Sequence, residues 1–347
     1  MSQHSSLGQR RRIFLTGASG VVGQALLSRL DAASVTCLVR QTNTSIPAAT
    51  TVVGDISLPR FGMSCEQFRD LAKGIDCVIH AAAVTDFSKS DELVIKTNVG
   101  GLDSVFELAA AADVPLYHIS TAFVRSGQPD NACTQEPTYA FTKREGERLV
   151  RESGLRSVII RPSIVIGDSK SGRIARFQGF HSVIGAVLNG FMPMMPASPE
   201  AYIDCIPQDT LAEAILALVD DGRDCGEYWI TSGNRSLTIG RIAEIVKEFT
   251  SQLGCSFSLP RFVSAEMVDR LLRPVFMSAL HPALQKRFER LLKISAYLCI
   301  DDPFTTSLPE LQRCLNLSPL PDLEMAFTRG LSYWAEATGY AARQATT

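Results

Sequence analysis

The stretch RRIFLTGASGVVGQALL, residues 11–27, decides the fold of this chain. Its apolar and β-branched run at 13–16 is typical of a buried parallel strand, and the apolar residues after Gly20 fit the core face of a helix. Gly17 permits a tight turn, Gly20 allows a pyrophosphate to approach backbone amides at the start of the helix, and Gly23 allows close packing of helix and strand. The pattern predicts a dinucleotide site. A glycine-bearing turn without a ligand is the alternative, because such a pattern alone does not require one.

The composition is that of an ordinary globular protein. With 347 residues, of which 46% are hydrophobic, the chain can bury a large core in one long α/β domain or in a domain with a smaller annex. The formal net charge is -2, and acidic and basic residues are interspersed, which argues against nucleic-acid binding and against a polybasic membrane patch. A small molecule or another protein is therefore the expected partner.

The cysteines and the ends of the chain bear on compartment and targeting. Nine cysteines are scattered without a CxxC pair, which predicts a reduced, cytoplasmic chain without a metal site. Residues 1–10 are expected to form a disordered tail. The arginines at 10–12 precede an apolar run as in a signal peptide, but Thr16 and Gly17 break that run, so it is assigned to the first strand. The apolar stretch 183–196 contains glycines and prolines and is too short for a transmembrane segment.

Strands and helices alternate along the first half of the chain. Strands are expected at 34–40, 50–55, 76–80, 114–120 and within 157–167, and helices at 93–112 and 138–153. Alternation at this spacing predicts an α/β fold with a Rossmann-type doubly wound parallel sheet.

Beyond residue 167 the alternation is lost, and glycine, methionine and proline become frequent between 172 and 199. We expect an NADP-binding Rossmann domain over 11–167, to which segments near 201–235 return. A smaller, mostly helical and discontinuous substrate-binding region is expected over 168–347. In it we expect a strand at 227–233, a helix at 237–249 capped by Thr238, a helical stretch at 262–298 and a last helix at 322–336.

The end of the second strand indicates which cofactor is used. In dinucleotide folds an Asp or Glu about 20 residues past the glycines holds the 2′-hydroxyl of NAD. Arg40 occupies that place, and its guanidinium can pair with a 2′-phosphate, which predicts NADP (NADPH). The alternative is an exposed surface arginine. Asp55 is placed to accept a hydrogen bond from the adenine amino group, or is a simple turn aspartate.

Two motifs suggest the chemistry. Tyr139 and Lys143 stand four residues apart on one face of a helix, where an ammonium can stabilise a phenolate and lower the phenol's pKa from about 10. Ser120 and Thr121 end the preceding strand and would add a hydroxyl at the same edge of the sheet. This set can polarise a carbonyl and protonate its oxygen after hydride transfer. A YxxxK pair alone is more often a solvated helix face.

The chain resembles the extended short-chain dehydrogenase/reductase superfamily in TGASGVVG at 16–23, Asp55, HAAA at 80–83, Asn98, STA at 120–122 and YAFTK at 139–143. The resemblance implies that Tyr139 is the proton donor, that Lys143 tunes its pKa and anchors the ribose, and that Thr121 binds the substrate oxygen. Ser120 replaces Thr121 if the register shifts by one. Asn98 would support a helix kink or a water relay, or is an ordinary helix cap. The implied cofactor contacts are Thr16, Gly17, Ser19, Gly20, Val21, Val22, Gly23, Arg40, Asp55, Ile56, Ala81, Ala82, Ala83, Asn98, Tyr139 and Lys143.

A narrower resemblance covers residues 11 to about 235. It lies in STAFV at 120–124, TYAFTK at 138–143, RPSIVIGDSKSG at 161–172 and YIDCIPQD at 202–209, which look like the thioester-reductase and fatty acyl reductase branch. That branch reduces acyl groups on coenzyme A or on a carrier protein with NADPH. By analogy Pro162, Ser163 and Ile164 line the nicotinamide and 168–200 covers the substrate. The stretch 177–195, rich in Met and Phe, suits an acyl chain or is plain core packing.

The chain also departs from that branch. It contains no adenylation or carrier domain, so a carrier protein is expected to act in trans. The C-terminal part carries basic residues that either meet coenzyme A phosphates or an acidic carrier, or form an ordinary solvated helix face. These residues are Arg270, Arg273, Lys286, Arg287, Arg290 and Lys293.

The sequence therefore predicts an NADPH-dependent reductase of an acyl thioester, on coenzyme A or a carrier protein, which forms an aldehyde and in some cases an alcohol. One alternative is an NADP-dependent reductase or dehydrogenase of a small ketone, aldehyde or alcohol. Another is a nucleotide-sugar epimerase or dehydratase that retains NAD, against which Arg40 argues. The last is a redox-sensing binding protein without turnover, which the intact Thr121, Tyr139 and Lys143 disfavour.

Overall fold

The computed structural model describes residues 11–41, 46, 49–86, 89–125, 138–255, 257–267, 270, 281–340 and 342. The expected tail at 1–10, the residues Cys133 and Arg273, and part of the expected helical stretch at 262–298 lie outside this range.

The described chain alternates between short strands and helices. The strands are β1 Ile13–Thr16, β2 Val35–Val39, β3 Thr50–Val53, β4 Cys77–His80, β5 Leu116–Ile119, β6 Ser157–Pro162, β7 Ile164–Ile166, β8 Met194–Met195, β9 Tyr202–Ile203, β10 Cys205–Pro207, β11 Gly226–Ile230, β12 Leu237–Thr238 and β13 Arg261–Phe262. The helices are α1 Val21–Leu27, α2 Cys65–Lys73, α3 Asp91–Asn98, α4 Leu102–Ala112, α5 Thr138–Glu152, α6 Gly179–Leu188, α7 Gln208–Asp220, α8 Ile239–Gln252, α9 Ala265–Met267, α10 Pro282–Leu298, α11 Leu308–Leu315 and α12 Leu323–Thr338.

Seven strands form one parallel sheet in the order β11-β6-β5-β4-β1-β2-β3. The order reverses between β1 and β4, and in such sheets the ligand crevice lies outside the carboxyl ends of the strands at this point. The prediction of a doubly wound parallel sheet is confirmed. The expected strand at 227–233 is the edge strand β11, so a late segment does pair with the first sheet.

The core lies on both faces of this sheet because the central strands are apolar on both sides. In β1, Phe14 and Leu15 are fully buried and belong to different core clusters. Phe14 packs with Phe61, with ring centroids 5.6 Å apart, on the face covered by α2 and α4. Burial of each such side chain contributes about 2 kcal/mol, and it fixes the direction in which β1 delivers the glycine loop.

The single helix expected at 93–112 is instead two helices. α3 ends at Asn98 and α4 begins at Leu102. A Cβ at Gly101 would lie 2.3 Å from the carbonyl oxygen of Thr97 and 3.1 Å from the side chain of Ile56. The glycine pair at 100–101 weakens the helix and lets the chain pack closely over Ile56.

The second half adds a helical layer and three small two-stranded sheets. β7 pairs with β10, β9 with β12, and β8 with β13. α8 begins where the sequence predicted, because the Thr238 hydroxyl accepts a hydrogen bond from the Arg241 amide at 3.1 Å. Among the described residues, no helix combines the length and the apolar character needed to cross a membrane.

Candidate active site

The loop after β1 is shaped by glycines that larger residues could not replace. Gly17 has a φ of +75°, and a Cβ there would lie 2.6 Å from the backbone carbon of Ala81 and from the backbone nitrogen of Ala82. A Cβ at Gly23 would lie 2.3 Å from the carbonyl oxygen of Gly17. The turn therefore packs backbone against backbone on the loop after β4, and close packing at Gly17 and Gly23 agrees with the sequence analysis.

The same loop leads into α1. Gly20 precedes the helix, and its amide donates a hydrogen bond to the carbonyl of Gly17 at 2.9 Å. Ser19 is exposed, Gly20 and Val22 are half-buried, and Val21 is buried. Ser19, Gly20 and Val22 are thus the residues of the loop that offer surface to a dinucleotide, whereas Val21 faces the core.

Thr16 lies beneath this surface. It is fully buried, its Oγ1 is 2.8 Å from Nδ1 of His80, and it accepts a hydrogen bond from the Ala82 amide at 3.3 Å. Its side chain therefore ties β1 to the loop after β4. This is a supporting role for Thr16, and the cofactor contact expected for it stays a prediction.

Arg40 and Asp55 meet at the far rim of the crevice. Arg40 Nε lies 3.6 Å from Asp55 Oδ2. Asp55 Oδ1 accepts a hydrogen bond from the Ser57 amide at 2.8 Å. Burial by itself would raise the pKa of Asp55, but this hydrogen bond and the charges of Arg40 and Lys96 hold it below its usual value. The pair keeps a guanidinium and a carboxylate side by side where β2 and β3 end. Ile56, expected to contact the cofactor, is buried.

Asn98 fastens the loop after β4 to the helices. Its amide nitrogen donates to the carbonyl of Val84 and to the hydroxyl of Thr142, both at 3.1 Å, and its oxygen accepts from the Val84 amide at 2.7 Å. The Asn98 side chain thus holds the loop after β4 against α5. Ala81, Ala82 and Ala83 before Val84 are half-buried, so the backbone that Asn98 holds is the part exposed to the crevice.

Thr121, Tyr139 and Lys143 come together at the carboxyl edge of the sheet. Thr121 directly follows the end of β5, while Tyr139 and Lys143 lie one turn apart on α5. The Tyr139 phenol and the Thr121 hydroxyl share a hydrogen bond. The Lys143 ammonium donates to the carbonyl of Ile119 at 2.7 Å. The structure therefore assembles the hydroxyl, phenol and cation that the sequence grouped.

The acid–base state of these groups differs from the sequence expectation. Burial raises the pKa of Tyr139 to about 12, although the hydrogen bond from Thr121 opposes the shift. Burial lowers the pKa of Lys143 to about 8, although the Glu147 carboxylate opposes that shift. The sequence predicted a lowered phenol pKa. Removal from water dominates the shift of the phenol.

The Ser120 hydroxyl makes its hydrogen bond away from Tyr139. Its hydroxyl donates to Glu147 Oε1 at 2.5 Å, so it binds the interior of the protein and Thr121 is the hydroxyl that reaches Tyr139. The sequence analysis missed Glu147 and its partner Arg161. Two signals could have found them: Glu147 continues the four-residue spacing of Tyr139 and Lys143, and Arg161 is a charged residue inside an apolar strand.

The segment Pro162, Ser163 and Ile164 crosses from β6 to β7 beside these residues. Ser163 and Ile164 are nearly fully buried. Ile164 donates its amide to the carbonyl of Asp204 at 3.1 Å. The Asp204 carboxylate accepts from the amides of Ser232 at 2.8 Å and Gly233 at 3.1 Å, and burial raises its pKa. The motif YIDCIPQD therefore anchors the nicotinamide-side segment expected at 162–164.

The region expected to cover the substrate contains α6. Phe180 and Met192 are buried, and Met195 is nearly so, whereas Phe191 is exposed and lies under the Arg287 guanidinium, 4.9 Å from its carbon to the ring centroid. Most of this apolar stretch is thus core packing, and Phe191 remains available to a ligand. Among the described residues, no cluster of three His, Cys, Asp or Glu side chains is arranged to hold a metal ion.

Comparison with known proteins identifies the fold and the family. The family model described as male sterility protein, an NAD-binding family, matches residues 44–215. These residues, just under half of the chain, are similar to that family. This confirms the resemblance to the extended short-chain dehydrogenase/reductases and to their thioester-reductase branch. A nicotinamide cofactor follows from the NAD-binding family.

Three similar proteins agree with this assignment. A hybrid PKS-NRPS synthetase of Penicillium citrinum is 26% identical over 268 residues, which are 68% of this chain and 6% of that protein. The terminal R domain from the myxalamid PKS-NRPS biosynthetic pathway has a TM-score of 0.73 at 23% identity, covering 96% of this chain and 93% of that one. A thiolation-reductase di-domain from an archaeal non-ribosomal peptide synthetase has a TM-score of 0.69 at 18% identity, covering 95% and 76%. The chain thus spans a small fraction of the curated relative and nearly all of the R domain.

Proposed function

We propose that this chain is an NADPH-dependent reductase that releases an acyl group from a thioester, on a carrier protein or on coenzyme A, as an aldehyde. The observation that carries the proposal is the hydrogen-bonded pair Thr121–Tyr139 beside buried Lys143, at the edge of the sheet where this fold binds its dinucleotide. When bound, the nicotinamide supplies the hydride.

In this proposal Thr121 and Tyr139 bind the substrate carbonyl oxygen. Their two hydroxyls are already joined in one hydrogen bond, so a carbonyl oxygen placed between them can accept from both as negative charge develops. Hydride addition to the carbonyl carbon would give a hemithioacetal whose oxygen takes a proton from Tyr139. The carbon–sulfur bond then breaks as the hydroxyl proton leaves and the sulfur is protonated, so that an aldehyde and a free thiol are released. A second hydride would give the alcohol.

The protonation state of Tyr139 fits a reduction. A phenol with a pKa of about 12 is protonated at neutral pH, and the protonated form is the one that donates to the substrate oxygen during reduction. Oxidation of an alcohol would instead require the phenolate.

NADPH is proposed over NADH because of the rim pair. Arg40 carries an exposed guanidinium next to Asp55, and a guanidinium forms bidentate hydrogen bonds with a phosphate. Asp55 holds Arg40 at the end of β2, where the adenosine ribose lies in this fold. An acidic residue at the Arg40 position would have favoured the free 2′-hydroxyl of NADH.

The substrate class rests on the relatives. Similar proteins are a PKS-NRPS synthetase, a terminal R domain and a thiolation-reductase di-domain, and the last joins a reductase to a thiolation domain. Each supports an acyl group delivered as a thioester. The carrier acting in trans, the division at 167 into two regions and the cytoplasmic location stay predictions.

A substrate panel tests the proposal. The chain is incubated with NADPH or NADH and with acyl-CoA, acyl-carrier protein, free aldehyde or small ketone, and products are analysed by mass spectrometry. We expect NADPH consumption matched by thiol release and aldehyde from a thioester. Consumption only with free carbonyls would move the assignment to a small-metabolite reductase, and copurified NAD without net consumption would move it to an epimerase or dehydratase.

A further inference from the structure

A buried ion cluster lies directly behind the three catalytic candidates. Its centre is Glu147, with a side chain 3% exposed, and Arg161, with a side chain 6% exposed. Glu147 follows Lys143 by four residues on α5, so Tyr139, Lys143 and Glu147 form one column along the helix. The proposed chemistry uses Tyr139 and Lys143 and leaves Glu147 without a stated role.

The Glu147 carboxylate is fully engaged. Oε1 accepts from Ser120 Oγ at 2.5 Å and from Arg161 Nε at 2.8 Å. Oε2 accepts from Arg161 Nη2 at 2.6 Å and from Arg151 Nη2 at 2.9 Å. Four hydrogen bonds therefore hold this one buried carboxylate in place, and charge-assisted bonds of this kind are the strong ones.

These bonds connect α5 to the ends of two neighbouring strands. Ser120 immediately follows β5 and precedes Thr121, and its amide donates to the carbonyl of Ile160 in β6 at 2.7 Å. Arg161 is followed by Pro162, the residue expected at the nicotinamide. One carboxylate thus ties the ends of the adjacent strands β5 and β6 to the helix that carries Tyr139 and Lys143.

We propose that Glu147 is a positioning residue of this site, whose carboxylate aligns the ends of β5 and β6 with α5 and whose charge keeps Lys143 protonated. This inference rests on the proposed function for its turnover readout. The role of the charge can be followed separately through coenzyme binding, since the Lys143 ammonium is the expected ribose anchor.

The surroundings of Lys143 make Glu147 its one acidic neighbour among the described groups that influence it. On α5 this group is Glu147, and the neighbouring strands add His80 from β4 and His118 from β5. Burial lowers the pKa values of both imidazoles, so they are neutral near pH 7. Arg161, from β6, is bound to the Glu147 carboxylate. Removal of the Glu147 charge should therefore deprotonate Lys143 at a lower pH.

Glu147→Gln tests this with the rest of the cluster in place. Arg161 keeps Glu227, whose Oε2 is 2.5 Å from Arg161 Nη2, so the guanidinium retains an acidic partner. Above a certain pH, kcat and coenzyme affinity should decline as Lys143 loses its proton; we call this decline the basic limb of the pH profile. In Glu147→Gln we expect the basic limb to lie about one pH unit lower. Turnover would then be about fivefold lower than that of the unmodified protein at pH 8 and nearly equal at pH 6.

Three further variants separate charge from architecture. Glu147→Asp keeps the charge, so its basic limb should return toward that of the unmodified protein even where kcat is reduced. Glu227→Gln removes a charge from the outer side of the same arginines and should leave the position of the limb unchanged. Glu152→Gln, on the exposed side of α5, should match the unmodified protein in turnover and in profile.

The outcome is decided by the pH at which activity and affinity fall. If this pH is the same in Glu147→Gln as in the unmodified protein, or falls equally in Glu227→Gln, the proposal is overturned. The cluster would then hold the strands and the helix together without setting the protonation of Lys143. If no thioester is turned over, the coenzyme titration alone still gives the limb, so failure of the proposed function is seen separately from failure of this inference.

Discussion

At the residue scale, two side chains define the proposed site for the substrate carbonyl oxygen. Thr121 and Tyr139 share a hydrogen bond, and burial keeps the phenol protonated at neutral pH. Sequence motifs predicted which residues would meet, since the YxxxK spacing and the strand-end Ser-Thr pair are local features. They did not predict the raised phenol pKa or the use of Ser120 by Glu147, because both depend on burial and on partners distant along the chain.

Tyr139→Phe should lower kcat for thioester reduction at least about a hundredfold, since it removes the proton donor and one of two donors to the substrate oxygen. Coenzyme affinity should change little because Lys143 and the glycine loop remain. Stopped-flow NADPH oxidation and fluorescence titration measure the two effects. Tyr228→Phe, on edge strand β11, is the matched control and should be unaffected. Full turnover by Tyr139→Phe would show that another group donates the proton.

Arg40→Ala should weaken NADPH binding about tenfold to a hundredfold, the loss expected for charge-assisted hydrogen bonds to a phosphate. NADH binding should be unchanged, because NADH has no 2′-phosphate. The KM values for the two coenzymes give the comparison, with Arg69→Ala on the exposed side of α2 as control. If binding of NADPH and NADH were weakened equally, Arg40 would support the structure of the site and would not recognise the 2′-phosphate.

At the scale of elements, the central strands and helix α5 could be predicted from the sequence. Each of β1, β2, β4, β5 and α5 has a hydrophobic pattern that is visible within its own segment. The glycine break between α3 and α4 was missed because it depends on packing over Ile56. α2 was also missed, although the reciprocal hydrogen bonds between Ser64 and Gln67 mark its start. The short sheets of the second half pair segments distant in sequence, and local patterns carry no information on such pairs.

Gly17→Ala should cost about 2 kcal/mol or more of unfolding free energy, because alanine is strained at positive φ and its Cβ would overlap the backbone of the loop after β4. Coenzyme binding should fall with it. Gly330→Ala is the control: a Cβ there meets no atom within 4 Å, and alanine inside α12 should stabilise by about 0.5–1 kcal/mol. Urea denaturation measures both. A Gly17→Ala variant as stable as the unmodified protein would contradict the close packing of these loops.

At the scale of the whole molecule, the parallel sheet buries a row of polar groups at its carboxyl edge. His80 and His118 stack with ring centroids 5.6 Å apart under Gly146 and Lys143. Burial lowers the pKa of His80 to about 3 and that of His118 well below its usual value. Both histidines therefore stay neutral in the folded protein at pH values where the unfolded chain binds protons.

Stability should consequently fall in acid. A depressed histidine pKa contributes nothing above about pH 6.5 and destabilises progressively as pH falls below it, by about 2 kcal/mol per histidine at pH 5. Burial also lowers the pKa of His181 on α6, to about 4. His118→Phe should therefore remove about a third of the change in unfolding free energy between pH 7 and pH 5, measured by urea denaturation at each pH. His281→Gln, at an exposed position, should leave that change intact. An undiminished change in His118→Phe would show that the acid sensitivity arises elsewhere.

The most direct measurement follows the hydride itself. The chain is given an acyl-carrier thioester and NADPH deuterated at the transferable position of nicotinamide C4, and the product is examined by mass spectrometry. The account predicts one aldehyde carrying a single deuterium at its carbonyl carbon for each thiol released and each NADPH oxidised. Release of unlabelled carboxylic acid, or thiol release without NADPH oxidation, would contradict it.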